Sequence, residues 1–192
     1  MTAVQPSLRE RRRTETTTSI AEAALDLAIA NGWDAVTVDE IAARAGISRR
    51  TFFNYFATKD EALFSNAVPW SEQSLATFTS SDGPVVDALE LLFVARTSAE
   101  KHDRERSLQV MRLVESSPEL LPGLLGRVAA GEKALADAIV TRDGVDEFTA
   151  QVLAAIAGTM ARVSGMGWLA GLQPDPVTAT RAAWSALRSL TS

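Results

Sequence analysis

Residues Thr37 to Leu63, TVDEIAARAGISRRTFFNYFATKDEAL, encode two short helices, a tight turn between them and the start of a third. Thr37 is placed to cap the first helix, and Glu40, three residues on, completes a capping box. Ile41, Ala42 and Ala45 give that helix a small apolar face. Gly46 stops it, because glycine just past the last turn takes the left-handed conformation without a Cβ penalty, and Ile47 packs back under the turn. Ser48 caps the next helix. Across Arg49 to Phe56, Phe52 and Phe56 stand four apart and share a buried face, which leaves Arg49, Arg50, Phe53 and Asn54 on other sides of the cylinder.

A helix-turn-helix of this kind offers guanidinium groups suited to guanine edges or phosphates, and an asparagine amide suited to adenine. The plainer reading of Arg49 and Arg50 is a solvated helix surface. Tyr55 and Thr51 share a partly exposed flank, which serves either a DNA contact or amphipathic packing. Thr37 and Ser48 act as caps in both readings.

Together with the preceding AxANGWDAVTV at Ala28 to Val38, and with the closing Tyr55-Phe56-x-x-Lys59, the segment resembles the N-terminal domain of TetR-family transcriptional regulators. The resemblance covers the first third of the chain. It implies a backbone-phosphate contact at Thr37, candidate base readers at Arg49, Arg50, Thr51 and Asn54, and phosphate clamps at Tyr55 and Lys59. Ser48 joins this DNA-facing set. The chain departs from the family pattern at Phe53, where the usual tyrosine hydroxyl is missing; a phenyl ring still reaches a sugar or a thymine methyl but donates no hydrogen bond to phosphate. Lys59 opens a helix capped by Thr58 with Glu61 three on, so backbone amides and the ammonium converge on one phosphate in this reading.

The chain has 192 residues, 46% of them hydrophobic, which permits one or two domains with a substantial core. Its net charge of -5 resides beyond residue 60: residues 1 to 60 hold eight Lys/Arg against eight Asp/Glu, and 61 to 192 hold eleven against sixteen. There is no cysteine, hence neither a disulfide framework nor a thiolate metal cluster. The N-terminus reads Ser7-Leu8-Arg9-Glu10-Arg11-Arg12-Arg13 rather than a signal peptide. That basic run is either an arm reaching DNA or the solvated first turns of a helix. The expected compartment is the cytoplasm.

A first helix is expected from about Thr14 to Ala30, ended by Asn31-Gly32. Beyond the motif, punctuation predicts six further helices, over 59 to 78 with a bend at Pro69, 84 to 100, 103 to 115, 120 to 141, 146 to 171 and 176 to 190. The last two look built to pair. Ala154 with Gly158, and Ala161 with Gly165, permit close helix approach, and Val177, Thr180, Ala183, Trp184, Leu187 and Leu190 form a stripe on the final helix. The stripes suit a four-helix dimer interface, which the family resemblance also implies, or an intramolecular core. Arg162 and frequent glycine in the run from Ala150 to Leu172 argue against a membrane span.

The stretch RLVESSPEL, Arg112 to Leu120, and the Ala-rich helix after it are similar to the sensor domain of the mycofactocin-type and acyl-CoA-responsive branch of the family. This resemblance makes Trp70, Phe93, Met111, Val114, Met160 and Trp168 candidate pocket walls and Arg112 a polar anchor for a carboxylate, thioester or phosphate. Each aromatic or methionine also suits plain core, and Arg112 also suits an ion pair with Glu115. Catalysis finds little support: the one histidine, His102, lies at a polar junction, and neither a phosphate-cradling loop nor a spaced carboxylate set stands out.

The expectation is therefore an all-α chain. An N-terminal three-helix helix-turn-helix DNA-binding domain, 1–58, is fused to a C-terminal helical ligand-binding and dimerisation domain, 59–192. No enzyme activity, cofactor or metal is expected. The expected partners are double-stranded operator DNA through its major groove, an apolar small-molecule effector such as an acyl-CoA, and a second copy of the chain. The alternatives are a multidrug-efflux repressor sensing flat aromatic or cationic drugs, and a helical ligand-binding module without DNA activity.

Overall fold

Why the chain breaks into helices where it does is visible in its caps. A computed structural model describes residues 8–65, 70–99 and 103–191. Ten α-helices lie among the described residues, with no strand: α1 Leu8–Asn31, α2 Val38–Arg44, α3 Arg49–Phe53, α4 Lys59–Leu63, α5 Glu72–Thr79, α6 Val85–Ala99, α7 Arg104–Ser116, α8 Leu121–Asp143, α9 Glu147–Leu169 and α10 Pro176–Thr191. A single 3-10 turn, Pro118–Leu120, joins α7 to α8. The all-α expectation holds. Thr37, Ser48, Thr58, Ser71 and Asp146 each accept a backbone N–H three residues on, and each thereby starts a helix. Gly32 and Gly46, at φ 79° and 69°, take the left-handed conformation that lets the chain turn out of α1 and α2.

Two expectations about element boundaries are corrected. The basic run is helical from Leu8, so α1 starts a turn and a half before Thr14. The single helix expected over 59 to 78 is two: α4 closes at Leu63 with Phe64 as its non-helical C-cap, and α5 starts afresh after Ser71, whose hydroxyl accepts from the Ser74 N–H at 3.1 Å. A serine cap stops a helix from running through it, because the cap residue itself holds extended φ and ψ. The expected bend at Pro69 and the histidine at 102 lie outside the described residues.

The chain forms two compact units, residues 1–68 with 109–127, and 69–108 with 128–192. In the first, Ile20, Ala24, Trp33, Ile41, Phe52 and Phe56 are buried together, and Leu113 and Leu120 from the later segment complete that core. Arg127 clasps the end of α4, donating to the carbonyls of Phe64 at 3.3 Å and Ser65 at 3.2 Å. In the second, α10 packs on α9 and α6. Its core joins Leu89 and Phe93 of α6, Leu135 and Ile139 of α8, Ala150, Ala154 and Ala157 of α9, and Trp184 of α10.

The close-approach stripes serve the protomer's own core only in part, since a Cβ at Gly165 would meet open space and Leu190 is exposed. Ala154, Thr180 and Trp184 are buried within that core. Gly158 makes room for Glu132 of α8, whose carboxylate oxygen would stand 2.8 Å from an added Cβ. The opposite face of α9 is the exposed one, and it carries Phe148, Val152, Ile156, Val163 and Met166 along one stripe. By length and composition α9 is apolar enough to cross a membrane, and it is the one such helix among the described residues.

Candidate functional site

The residues expected to face DNA all lie in the first unit, and the caps among them form as the spacing predicts. The Thr37 hydroxyl accepts the Glu40 N–H at 3.2 Å while the Glu40 carboxylate accepts the Thr37 N–H at 2.9 Å, so the box that starts α2 is closed on both sides. The Thr37 hydroxyl also donates to that carboxylate at 2.8 Å, and this bond first, then that of the Thr37 backbone N–H, holds the Glu40 carboxyl below the usual carboxylate range. Ser48 accepts the Thr51 N–H at 3.0 Å, and the two hydroxyls lie 2.8 Å apart. Both hydroxyls are thus committed to the helix start.

Helix α3 is shorter than expected, ending at Phe53 with Asn54 as C-cap. Phe52 is fully buried and Phe56 nearly so. Arg50 and Asn54 are exposed beside them, and Phe53 is 46% exposed. Arg49 forms a 2.7 Å ion pair with Asp39 and lies over the Phe53 ring, its guanidinium carbon 5.4 Å from the centroid. Both partners of that pair face water, so it is worth at most about 1 kcal/mol. Tyr55 is half-buried, and Arg13 of α1 sits over its ring at 5.6 Å. That brings a basic residue from outside the motif to the flank of α3. Sequence reasoning noted the basic run but had no signal for its neighbour.

Lys59 is held more firmly than a free clamp. Its ammonium donates to the carbonyls of Trp33 at 3.0 Å and Val36 at 2.9 Å and stands 4.5 Å from the centre of the Trp33 ring. Trp33 in turn donates its indole N–H to Asp60 at 2.8 Å. The connector after α1 and the first turn of α4 are thereby latched by three hydrogen bonds and one cation–π contact. The latch was not anticipated, since it joins residues more than twenty positions apart.

The expected pocket residues divide between the units. Met111, Arg112 and Val114 belong to the first, where Met111 and Arg112 are exposed and Val114 half-buried. Trp70, Phe93, Met160 and Trp168 belong to the second. There Trp70 meets Phe93 edge-on at 4.9 Å, Phe93 meets Trp184 at 6.0 Å, and Met160 packs against the same cluster. The Trp70 indole N–H is satisfied by the Gly131 carbonyl at 3.1 Å. A cavity of about 630 Å³ opens between α5 and α6, with Phe78, Leu91, Leu92 and Ala95 among its walls, and none of the seven expected residues lines it. The loop that joins α5 to α6 is held by Arg142, whose side chain is 4% exposed. Arg142 donates to the Ser81 hydroxyl at 3.1 Å and the Gly83 carbonyl at 2.7 Å, and lies over the Phe78 ring at 5.4 Å.

Known proteins agree with this architecture. Residues 20–65 match the family described as bacterial regulatory proteins, tetR family. The chain is 31% identical over 197 residues to the HTH-type transcriptional regulator TcmR of Streptomyces glaucescens, covering 96% of this chain and 87% of TcmR. It is 30% identical over 182 residues to MftR of Mycobacterium tuberculosis, named as a mycofactocin biosynthesis transcriptional regulator, covering 90% and 87%. Among solved structures, NalD, the secondary repressor of the MexAB-OprM multidrug efflux pump in Pseudomonas aeruginosa, superposes with a TM-score of 0.58 at 19% identity, covering 92% of this chain and 96% of NalD. That likeness is one of fold. A helix-turn-helix built on these caps, with relatives that are transcriptional regulators over nearly the whole length, leads to one conclusion: the chain belongs to the TetR family of regulators, whose members bind operator DNA and small-molecule effectors, typically as dimers.

Proposed function

We propose that this chain is a dimeric, cytoplasmic, ligand-responsive repressor released from its operator by an apolar small molecule, an acyl-CoA or a related acyl compound. The observation that carries the DNA half is the exposure of Arg50 and Asn54 beside a fully buried Phe52, which frees the outward face of α3 for a major groove. Residues 1–58 read DNA in this proposal, and 59–192 bind effector and partner. Arg49, Arg50, Thr51 and Asn54 face bases; Thr37, Ser48, Tyr55 and Lys59 face the phosphate backbone; Phe53 touches sugar or a thymine methyl. The resemblance implies an effector role for Met111, Arg112 and Val114 in the first unit and for Trp70, Phe93, Met160 and Trp168 in the second. The similarity to a mycofactocin biosynthesis regulator supports keeping Arg112 in that set.

Two α3 helices in a dimer must lie about one DNA turn apart, roughly 34–36 Å, to enter successive major grooves. An effector that prefers another spacing lowers operator affinity, and by linkage the operator lowers effector affinity by the same factor. The test is anisotropy titration of DNA flanking the gene for this chain. Arg50→Ala and Asn54→Ala should each relax preference at a few base pairs, by about 1–3 kcal/mol. Equal binding to scrambled DNA by the unmodified protein sinks the proposal. Thermal shifts distinguish the competing drug-sensing reading, which expects cationic dyes rather than acyl compounds to raise the melting temperature.

A further inference from the structure

We infer that Arg13 takes a backbone phosphate of the DNA, from outside the helix-turn-helix and with the Tyr55 ring as its support. The inference rests on the operator-binding reading above and deepens it by naming a contact on α1.

Residues 1 to 60 are electrically neutral as a whole, eight Lys/Arg against eight Asp/Glu, so their attraction to DNA depends on where the cations stand. Half of those cations, Arg9, Arg11, Arg12 and Arg13, fall within five residues that contain one acid, Glu10. Others are engaged elsewhere. Arg44 pairs with Asp26 at 3.1 Å, Arg49 with Asp39 at 2.7 Å, and the Lys59 ammonium donates to two carbonyls. The densest positive charge therefore stands at the start of α1, not on α3.

Helical phase aims part of that charge at the recognition helix. Ile20 and Ala24 are fully buried in the core formed with Ile41, Phe52 and Phe56. Arg13 precedes them by seven and eleven residues, hence on the same stripe of α1, at the point where the stripe leaves the core. Between them Thr17 is half-buried, its hydroxyl donating to the Arg13 carbonyl at 2.9 Å. Glu15, two residues after Arg13, stands about 200° round the helix and so on the far side. The phase places the Arg13 guanidinium carbon 5.6 Å from the centre of the Tyr55 ring, and Tyr55 follows directly on the C-cap of α3. A ring engages the flat face of a guanidinium, which leaves N–H donors at the edge for a pair of phosphate oxygens. Arg13 is exposed. With α3 seated in a major groove, the strand at its C-terminal flank passes Tyr55, and Arg13 meets a phosphate there. Stacked on the flank, the guanidinium reaches the rim of the groove rather than its floor, so it positions the protein and reads no base.

Anisotropy titration of the full-length protein across about 50–200 mM salt tests this, with DNA flanking its own gene and a scrambled duplex of the same length. Arg13→Gln should weaken binding to both duplexes by one common factor and lower the salt slope by about 0.9 for each protomer on the duplex. Arg13→Lys keeps the charge and should restore the slope. Arg12→Gln, also at an exposed residue but about 100° round α1 and off the stripe, should change the slope by less than half as much. Because both arginines are exposed, the variants should melt with the parent. An unchanged slope in Arg13→Gln, an equal loss in Arg12→Gln, or a loss confined to the own-gene duplex overturns the phosphate contact. If the unmodified chain binds both duplexes alike, the operator reading fails, while a slope lowered by Arg13→Gln still upholds the contact. If it selects its own DNA and Arg13→Gln leaves the slope unchanged, the reading stands and the contact fails. Failure of the unmodified chain to bind either duplex overturns both.

Discussion

At the scale of single residues, Lys59 is a latch in the structure and a phosphate clamp in the proposed function. Two of its three ammonium protons go to the Trp33 and Val36 carbonyls, which leaves one for a phosphate. Lys59→Met keeps the stem over the Trp33 ring and removes the charge. It should lower stability by about 1.5–3 kcal/mol, as for hydrogen bonds to a charged group, and reduce the salt slope of DNA binding by about one. Urea unfolding and salt titration read these separately: unchanged unfolding removes the latch, an unchanged slope removes the clamp. Thr37 and Ser48 were legible from sequence because a cap acts within three residues. Lys59 as a latch was not, because neither carbonyl it bonds can be found by spacing.

At the scale of elements, the helix starts carry the acid sensitivity. Asp146 precedes α9 and accepts from Thr149, whose hydroxyl and then backbone N–H hold its carboxyl below the usual range. Asp175 precedes α10 and accepts from the Thr178 N–H and then its hydroxyl, with the same result. A folded carboxyl whose pKa is depressed binds fewer protons than the unfolded one. Its contribution is therefore present above the unfolded value, about 3.9 for aspartate, and lost as pH falls from there through the folded value. Asp146→Asn with Asp175→Asn keeps both caps and removes both titrations. The double variant should unfold less steeply on acidification while matching the parent's cap geometry at neutral pH; thermal melts between pH 3 and pH 7 check it, and an acid limb as steep as the parent's contradicts it. The same scale explains what periodicity conceals. It located an apolar and small-residue stripe on α9 but could not tell which neighbour covers it, and the small face is taken by the protomer itself.

At the scale of the whole molecule, the bulky stripe on α9 is what remains to be covered. Phe148, Val152, Ile156, Val163 and Met166 are each 36% or more exposed on one face, which suits a second copy related by a twofold axis. Sedimentation should find a dimer without DNA. Val152→Glu with Ile156→Glu should give a folded monomer with lost operator affinity, whereas Trp184→Asp, in the core, should unfold. A stable monomer for the unmodified chain contradicts this interface. One feature of α3 reaches beyond these experiments. Phe52 alone among its five residues is buried, so the core is anchored by a position that reads no base, and Arg49, Arg50 and Phe53 stand outside it. Gene duplicates of this regulator can therefore exchange these exposed side chains with little loss of foldability, and on the proposed assignment such exchanges give new operators.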